Sequence, residues 1–317
     1  MTKYTQFKLA AIQASPVYFD RGASTEKACQ LIHEAGGQGV TMAAFGESWL
    51  PGYPFFVWDS PTRSMAAEYL ANAIEIPSTT TEQLCETARQ AAIDVVIGVA
   101  ERDAETQGTV YCTLLFIGSD GAILGKHRKL KPTSRERTVW GEGDGSSLMV
   151  YDRPYARISG LNCWEHNMVL PGYAIMAQGT QIHVAAWPGM ANSRHSILSR
   201  AFASQSAAYV IDVGAILSPD LVPEAYKKLA RNYPGESSII DPFGEVKAGP
   251  AEGETILMTD CSTENIFSAK SACDVAGHYS RPDVVQLHVN RTQTHHITEM
   301  QRQEHAATEP NGATSGA

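Results

Sequence analysis

Along this chain the spacing of apolar positions switches repeatedly between a strand period and a helix period. "FKLAAIQA" (7–14) reads as a buried strand. In "STEKACQLIHEAG" (24–36), Ala28, Leu31, Ile32 and Ala35 fall on one face, which predicts a helix. "TMAAFGE" (41–47) is a second strand. Residues 79–92 open with a capping-box pattern, Thr79 to Glu82, and then place Leu84, Ala88 and Ala91 together. "DVVIGVAE" is a β-branched strand, and "YCTLLFIGSDGAILGKHRKL" (111–130) is two apolar runs around "SDG", a hairpin signal. "RISGLNC" is a strand followed by a helix from about Glu165 to Gln178. "QIHVAAWP" is a strand, "NSRHSILSRAFASQSAA" a helix capped by Asn192 or Ser193, and "YVIDVGAI" a strand. "SSIIDPFGEVKAG" is a second hairpin, and "ETILMTDC" closes the series.

Alternating strands and helices with added hairpins predict a layered α/β fold with mixed sheets. No Pro/Gly/Ser linker divides the 317 residues, so residues 1–297 read as one domain. Residues 298–317 turn polar and small and read as a partly disordered tail. The start reads as a strand and not as a signal peptide, and no apolar run reaches the roughly 20 residues needed to span a bilayer. A net charge of −9 without a basic run argues against nucleic acid or an anionic membrane as partner. Six dispersed cysteines, none in a C-x-x-C, favour reduced thiols in a cytoplasm over a disulfide framework or a zinc site.

Cys163 stands out by its setting. It lies at the expected strand-to-helix junction, where a sharp turn would lift its sulfur out of the sheet and a helix N-terminus would lower its pKa. On that junction alone a nucleophile and a buried thiol are equally open. A cysteine hydrolase also needs a base and a group to stabilise developing charge. His166 is near in sequence, but three residues into a helix it would point away; Glu165 and His166 could instead shape the turn. Other strand ends offer candidates. Glu47 follows a small-residue apolar strand in "AAFGESWLPGYP", where a carboxylate needs a partner. In "GKHRKLKPTSRER" strand alternation turns Lys129 to the face opposite Arg128 and Leu130, so that one lysine can point inward.

Taken together, Glu47 in "FGESWLPGYP", Lys129 in "HRKLKPTSRER" and Cys163 in "LNCWEH" resemble the Glu-Lys-Cys triad of the nitrilase branch of the carbon–nitrogen hydrolase superfamily. "VWGEGDGS", "HVAAWPG", "SIIDPFGEV" and "GHYSRPDVVQL" extend the resemblance over roughly residues 7 to 290. The resemblance implies an α-β-β-α sandwich and hydrolysis of a nitrile to a carboxylic acid and ammonia. It implies Cys163 as nucleophile, Glu47 as base and Lys129 as stabiliser of charge. Glu136 matches the family's second glutamate, with a role in positioning the lysine and substrate. Trp164, Trp187, Tyr53 and Trp140 are candidates to line the substrate pocket, with core packing as their plainer fate. An amidase or a cyanide hydratase or dihydratase would use the same triad, and a catalytically silent scaffold relative is the rival from another class. The family implies a homo-oligomer, dimers that can stack into a spiral. No metal or cofactor is expected: "GEGDG" (141–145) lacks the helix a phosphate loop needs, and His295–His296 lie in a polar tail.

Overall fold

The computed structural model describes residues 4–59, 61–189, 193–295 and 297, the side chains of 193 and 194 apart. Two six-stranded sheets lie face to face. The first contains β1 (Gln6–Gln13), β2 (Met42–Phe45), β3 (Asp94–Arg102), β4 (Val110–Ile117), β5 (Ile123–Arg128) and β12 (Thr255–Ser262), in the order β12-β1-β2-β3-β4-β5. The second contains β6 (Tyr151–Asp152), β7 (Arg157–Asn162), β8 (Ile182–Trp187), β9 (Tyr209–Gly214), β10 (Ser238–Ile240) and β11 (Val246–Ala248), in the order β11-β10-β9-β8-β7-β6. The central strands β1, β2 and β3 run parallel, as do β7, β8 and β9, and the hairpins add antiparallel edges. Such mixed sheets are what the alternation of crossovers and hairpins predicts.

The strands are apolar on both faces because both are covered. Leu9, Ala11, Met42, Ala44, Val96 and Leu114 of the first sheet pack against Ile158, Val184, Ala186, Ile211 and Val213 of the second. The outer face of the first sheet, including Ala10, Ile12, Ala43, Phe45 and Ile97, is covered by α1 (Arg21–Gly37) through Ala28, Ile32 and Ala35 and by α3 (Thr79–Ala91) through Leu84 and Ala88. The outer face of the second, including Leu161, Ala185 and Val210, is covered by α4 (Val169–Met176) and α5 (Ser193–Ser206). The result is a single α-β-β-α sandwich, as expected.

Several local expectations change. Helix α3 is capped by Ser78, whose hydroxyl accepts from Thr81 N–H while its own N–H donates to the Thr81 hydroxyl, and not by Thr79 with Glu82; the helix starts one residue earlier than the charge pattern suggests. The helix expected over 165–178 is a one-turn 3-10 helix, Cys163–Asn167, followed by the shorter α4, because Met168 takes an extended backbone between them. Two helices have too weak an apolar stripe to be read: α2 (Arg63–Asn72), which buries only Tyr69, and α6 (Thr263–Ala272). Asn192, His296 and residues 298–317 lie outside the described residues, as does the Ser193 side chain, so the expected α5 cap and the tail do too. Among the described residues no helix is long and apolar enough to cross a membrane.

Candidate active site

The three sequence blocks meet at one end of the sandwich. Glu47 follows β2; its N–H donates to the Trp187 carbonyl at the end of β8, at 3.0 Å, so the first sheet is tied to the second beside the acid. The chain reaches this place by crossing β3 at Gly98, where a Cβ would lie 2.2 Å from the Gly46 carbonyl oxygen. Lys129 follows β5. Its N–H donates to Cys112 on β4 and its carbonyl accepts from Gly143, both at 2.8 Å. Cys163 follows β7, the sharp turn the sequence predicts.

Three non-glycine residues take left-handed φ, one in each block: Ser48 (+48°), Ser134 (+47°) and Cys163 (+51°). Such conformations cost of order 1–3 kcal/mol each and persist only where the surroundings impose them. Glu165 imposes the turn at Cys163. Its carboxylate accepts from Asn162 N–H at 2.7 Å and from Leu130 N–H at 2.8 Å, and both oxygens lie 3.1 Å from His127 Nε2. One buried side chain therefore joins the residue before Cys163 to the residue after Lys129. Burial would neutralise both members of this pair, but His127 is held above its ordinary value by Glu165, and Glu165 below its own by His127 and the two N–H donors. The sequence pointed to Glu165 as a shaper of the turn; His127 carried no signal of its own.

Lys129 is fully buried and donates to Glu47 Oε1 at 2.7 Å and to Glu136 Oε2 at 2.8 Å. Burial works against its charge, yet the two carboxylates hold its pKa well above the ordinary lysine value. Glu136 also accepts from Thr133 N–H at 2.7 Å and from the Tyr53 hydroxyl at 2.7 Å, and Tyr53 accepts from Trp58 Nε1 at 2.8 Å. Glu47 is raised to about 7, chiefly by burial, against the pull of Lys129. The Cys163 thiol is pushed well above its ordinary value, first by burial and then by Glu47. This corrects the expectation of a thiol acidified by a helix: a 3-10 turn replaces the first helical turns, and desolvation beside a carboxylate outweighs Lys129 and the local N–H groups.

The aromatic candidates fall on two sides. Trp187, buried, and Trp164, half-buried, stand edge to face at 6.3 Å in the apolar cluster that contains Cys163. Tyr53 and Trp140 lie on the lysine side, 5.7 Å apart, with Lys129 Nζ 5.3 Å from the Trp140 ring centre. The Tyr53 hydroxyl is committed to Glu136, which ties it to the acid network. His166 is no base for Cys163. Its Nδ1 donates to the Cys163 carbonyl at 2.8 Å, its Nε2 meets His183 Nε2 at 3.0 Å, and burial lowers its pKa to about 4. Cys112, which the sequence did not single out from the other dispersed cysteines, lies 3.6 Å from Glu47 Oε1. No group of three or more His, Cys, Asp or Glu among the described residues is placed to hold a metal ion.

A buried thiol, a carboxylate of raised pKa and a captive ammonium are the parts of a cysteine hydrolase working away from bulk water. Residues 8–271 match the carbon-nitrogen hydrolase family, and the chain belongs to it. It is 51% identical over 299 residues to Nitrilase 2 of an unknown prokaryotic organism, covering 92% of this chain and 95% of that protein. It is 38% identical to an aliphatic nitrilase of Rhodococcus rhodochrous (93% and 86% covered) and 37% identical to an arylacetonitrilase of Aspergillus niger (95% and 94%). Among solved structures it is similar in fold to the Caenorhabditis elegans NitFhit protein, with a TM-score of 0.72 at 20% identity over 93% of this chain and 70% of that one. The carbon-nitrogen hydrolase of Helicobacter pylori gives 0.71 at 15% identity, covering 88% and 96%.

Proposed function

We propose that this enzyme is a nitrilase, converting an organic nitrile and two waters to a carboxylic acid and ammonia. The observation that carries the reading is the Lys129 ammonium held between Glu47 and Glu136 in a buried site shared with Cys163. Cys163 Sγ attacks the nitrile carbon as its proton passes to Glu47, which hands it on to the nitrogen to give a neutral thioimidate and is left ionised. Because burial disfavours a standing thiolate, proton transfer and carbon–sulfur bond formation belong to one step. Water, deprotonated by Glu47, adds to the thioimidate carbon. Lys129 stabilises the charge that develops on the tetrahedral intermediate; Glu47 returns the first water proton to the nitrogen, the intermediate's hydroxyl gives up the second as the carbonyl forms, and the C–N bond breaks to release ammonia. A second water cleaves the thioester, releasing the acid and restoring the thiol. Glu136, itself held by Tyr53 and Thr133, keeps Lys129 aimed. Trp164 and Trp187 share the apolar cluster of Cys163 and are our candidates for the substrate wall, with Trp140 on the lysine side.

The nitrile-hydrolysing relatives support this reading over an amidase or a cyanide hydratase, and the burial of Lys129 weighs against an inactive scaffold. The test is ammonia release from cyanide, an aliphatic dinitrile, benzonitrile, phenylacetonitrile and the matching amides, with Cys163→Ala beside the wild type. Ammonia from an organic nitrile, lost in the variant, is expected. Activity confined to cyanide or to amides would move the enzyme to a neighbouring branch, and activity retained by the variant would overturn the assignment of Cys163. We further infer a cytoplasmic homo-oligomer of dimers that can stack. Six unpaired cysteines support the compartment. Val169 and Leu170 on α4 and Ile197 on α5, each more than 60% exposed, support the assembly. Light scattering after gel filtration tests the second point, and a monomer would refute it.

A further inference from the structure

Glu47 uses its two oxygens unequally. Oε1 accepts from Lys129 Nζ at 2.7 Å and from Cys112 Sγ at 3.6 Å. Oε2 is buried and has no hydrogen-bond partner among the described residues. Cys112 is itself fully buried on β4, where it pairs with Ala100 of β3, and its carbonyl accepts the Lys129 N–H at 2.8 Å. The same residue thus holds the lysine by its backbone and the glutamate by its side chain. Burial and the neighbouring Glu47 raise the Cys112 pKa well above the ordinary thiol value, so the sulfur carries the hydrogen it donates.

A carboxylate held by one bond can still turn about that bond; a second donor on the same oxygen, from another direction, fixes where the other oxygen points. We propose that Cys112 is a positioning residue for Glu47: its S–H and the Lys129 ammonium together hold Oε1, so that Oε2 alone faces the Cys163 proton and the attacking water. The proposal rests on the nitrilase reading of this site. A thiol suits the task because it is a weak donor. A hydroxyl or amide there would stabilise the carboxylate more strongly and make it a poorer base.

The test is steady-state kinetics against pH for Cys112→Val and Cys112→Ala, with a nitrile accepted by the wild type. Valine fills the space without a donor; alanine leaves it open. Both variants are expected to lose about 3–10-fold in kcat, the scale of one such hydrogen bond. KM should stay within about twofold. The acid limb of kcat/KM should move to higher pH, because a donor that favours the carboxylate is gone. Wild-type kcat and acid limb in Cys112→Val would overturn the proposal. So would a loss of thermal stability alone, or a rise in KM alone, which would make Cys112 a packing or pocket-wall residue. Cys163→Ala, run alongside, separates this from the wider reading. If Cys163→Ala is dead and Cys112→Val is normal, only the positioning role fails; if Cys163→Ala is active, the nitrilase assignment itself fails.

Discussion

Replacing Lys129 by methionine tests the centre of this arrangement. Methionine keeps most of the side chain's length and removes its charge. Lys129 is fully buried, with carboxylates at 2.7 and 2.8 Å, so Glu47 and Glu136 would lose their shared cation in a place water does not reach. Removing one partner of a buried ion pair costs about 3–5 kcal/mol, mostly the desolvation of the charge left behind. For a chain of this size that corresponds to a fall in melting temperature of about 5–10 °C. The loss should depend on pH. Glu47 is already raised to about 7, and without the lysine it rises further. A carboxylate that binds a proton more tightly when folded adds stability at low pH and loses it as pH rises through the folded value. The variant should therefore lie furthest below the wild type near pH 8 and close on it towards pH 5. Thermal unfolding at several pH values and one fixed protein concentration gives the measurement, since assembly would otherwise shift the midpoint. kcat should fall by on the order of 10²–10³, the scale of one buried charge-stabilising donor. A pH-independent loss of under about 1 kcal/mol would refute the claim that two buried carboxylates depend on this lysine.

Other tests bear on the neighbouring groups. With Glu47 as the proposed base for the thiol proton, kcat/KM should fall below about pH 7, and Glu47→Gln should be inactive yet more thermostable than the wild type at pH 8; a variant less stable there would contradict the dominance of burial at this residue. Tyr53→Phe removes one donor from Glu136 and should lower kcat roughly 10-fold with KM little changed, whereas a change in KM alone would return Tyr53 to the substrate wall. Glu165→Gln should destabilise by about 3–5 kcal/mol, since an amide cannot accept from Asn162, Leu130 and His127 together. The raised pKa of His127 adds stability below about 6.5 and loses it as pH rises; the lowered pKa of Glu165 adds stability above about 4.5 and loses it as pH falls. The wild-type advantage, read by urea unfolding, should thus be widest between those values, and an advantage flat across pH would show that the pair is not charged.

Where function left a local mark, the chain could be read directly. The apolar runs of β1, β3, β7, β8 and β9 bury both faces, so their character survives in any window of the sequence, and the "SDG" and "DPFG" turns mark both hairpins. Helices α2 and α6 escaped because they bury few side chains, and a helix resting lightly on a core leaves no periodic stripe. The Ser78 cap was missed because four consecutive hydroxyl residues offer several equivalent starts, and only the backbone path chooses among them.

By itself the sequence determined the layered α/β architecture, the turn at Cys163 and the inward face of Lys129, all consequences of period and punctuation along a few residues. Resemblance added the partnership of Glu47, Lys129, Cys163 and Glu136. Only the tertiary structure decided how those residues are held: Tyr53 on Glu136, His127 on Glu165, Cys112 on Glu47, and a thiol that burial keeps protonated. The reason is physical. These contacts join positions 38 to 83 residues apart, and the pKa of a buried group depends on how much water and charge surrounds it, which no local stretch of chain encodes.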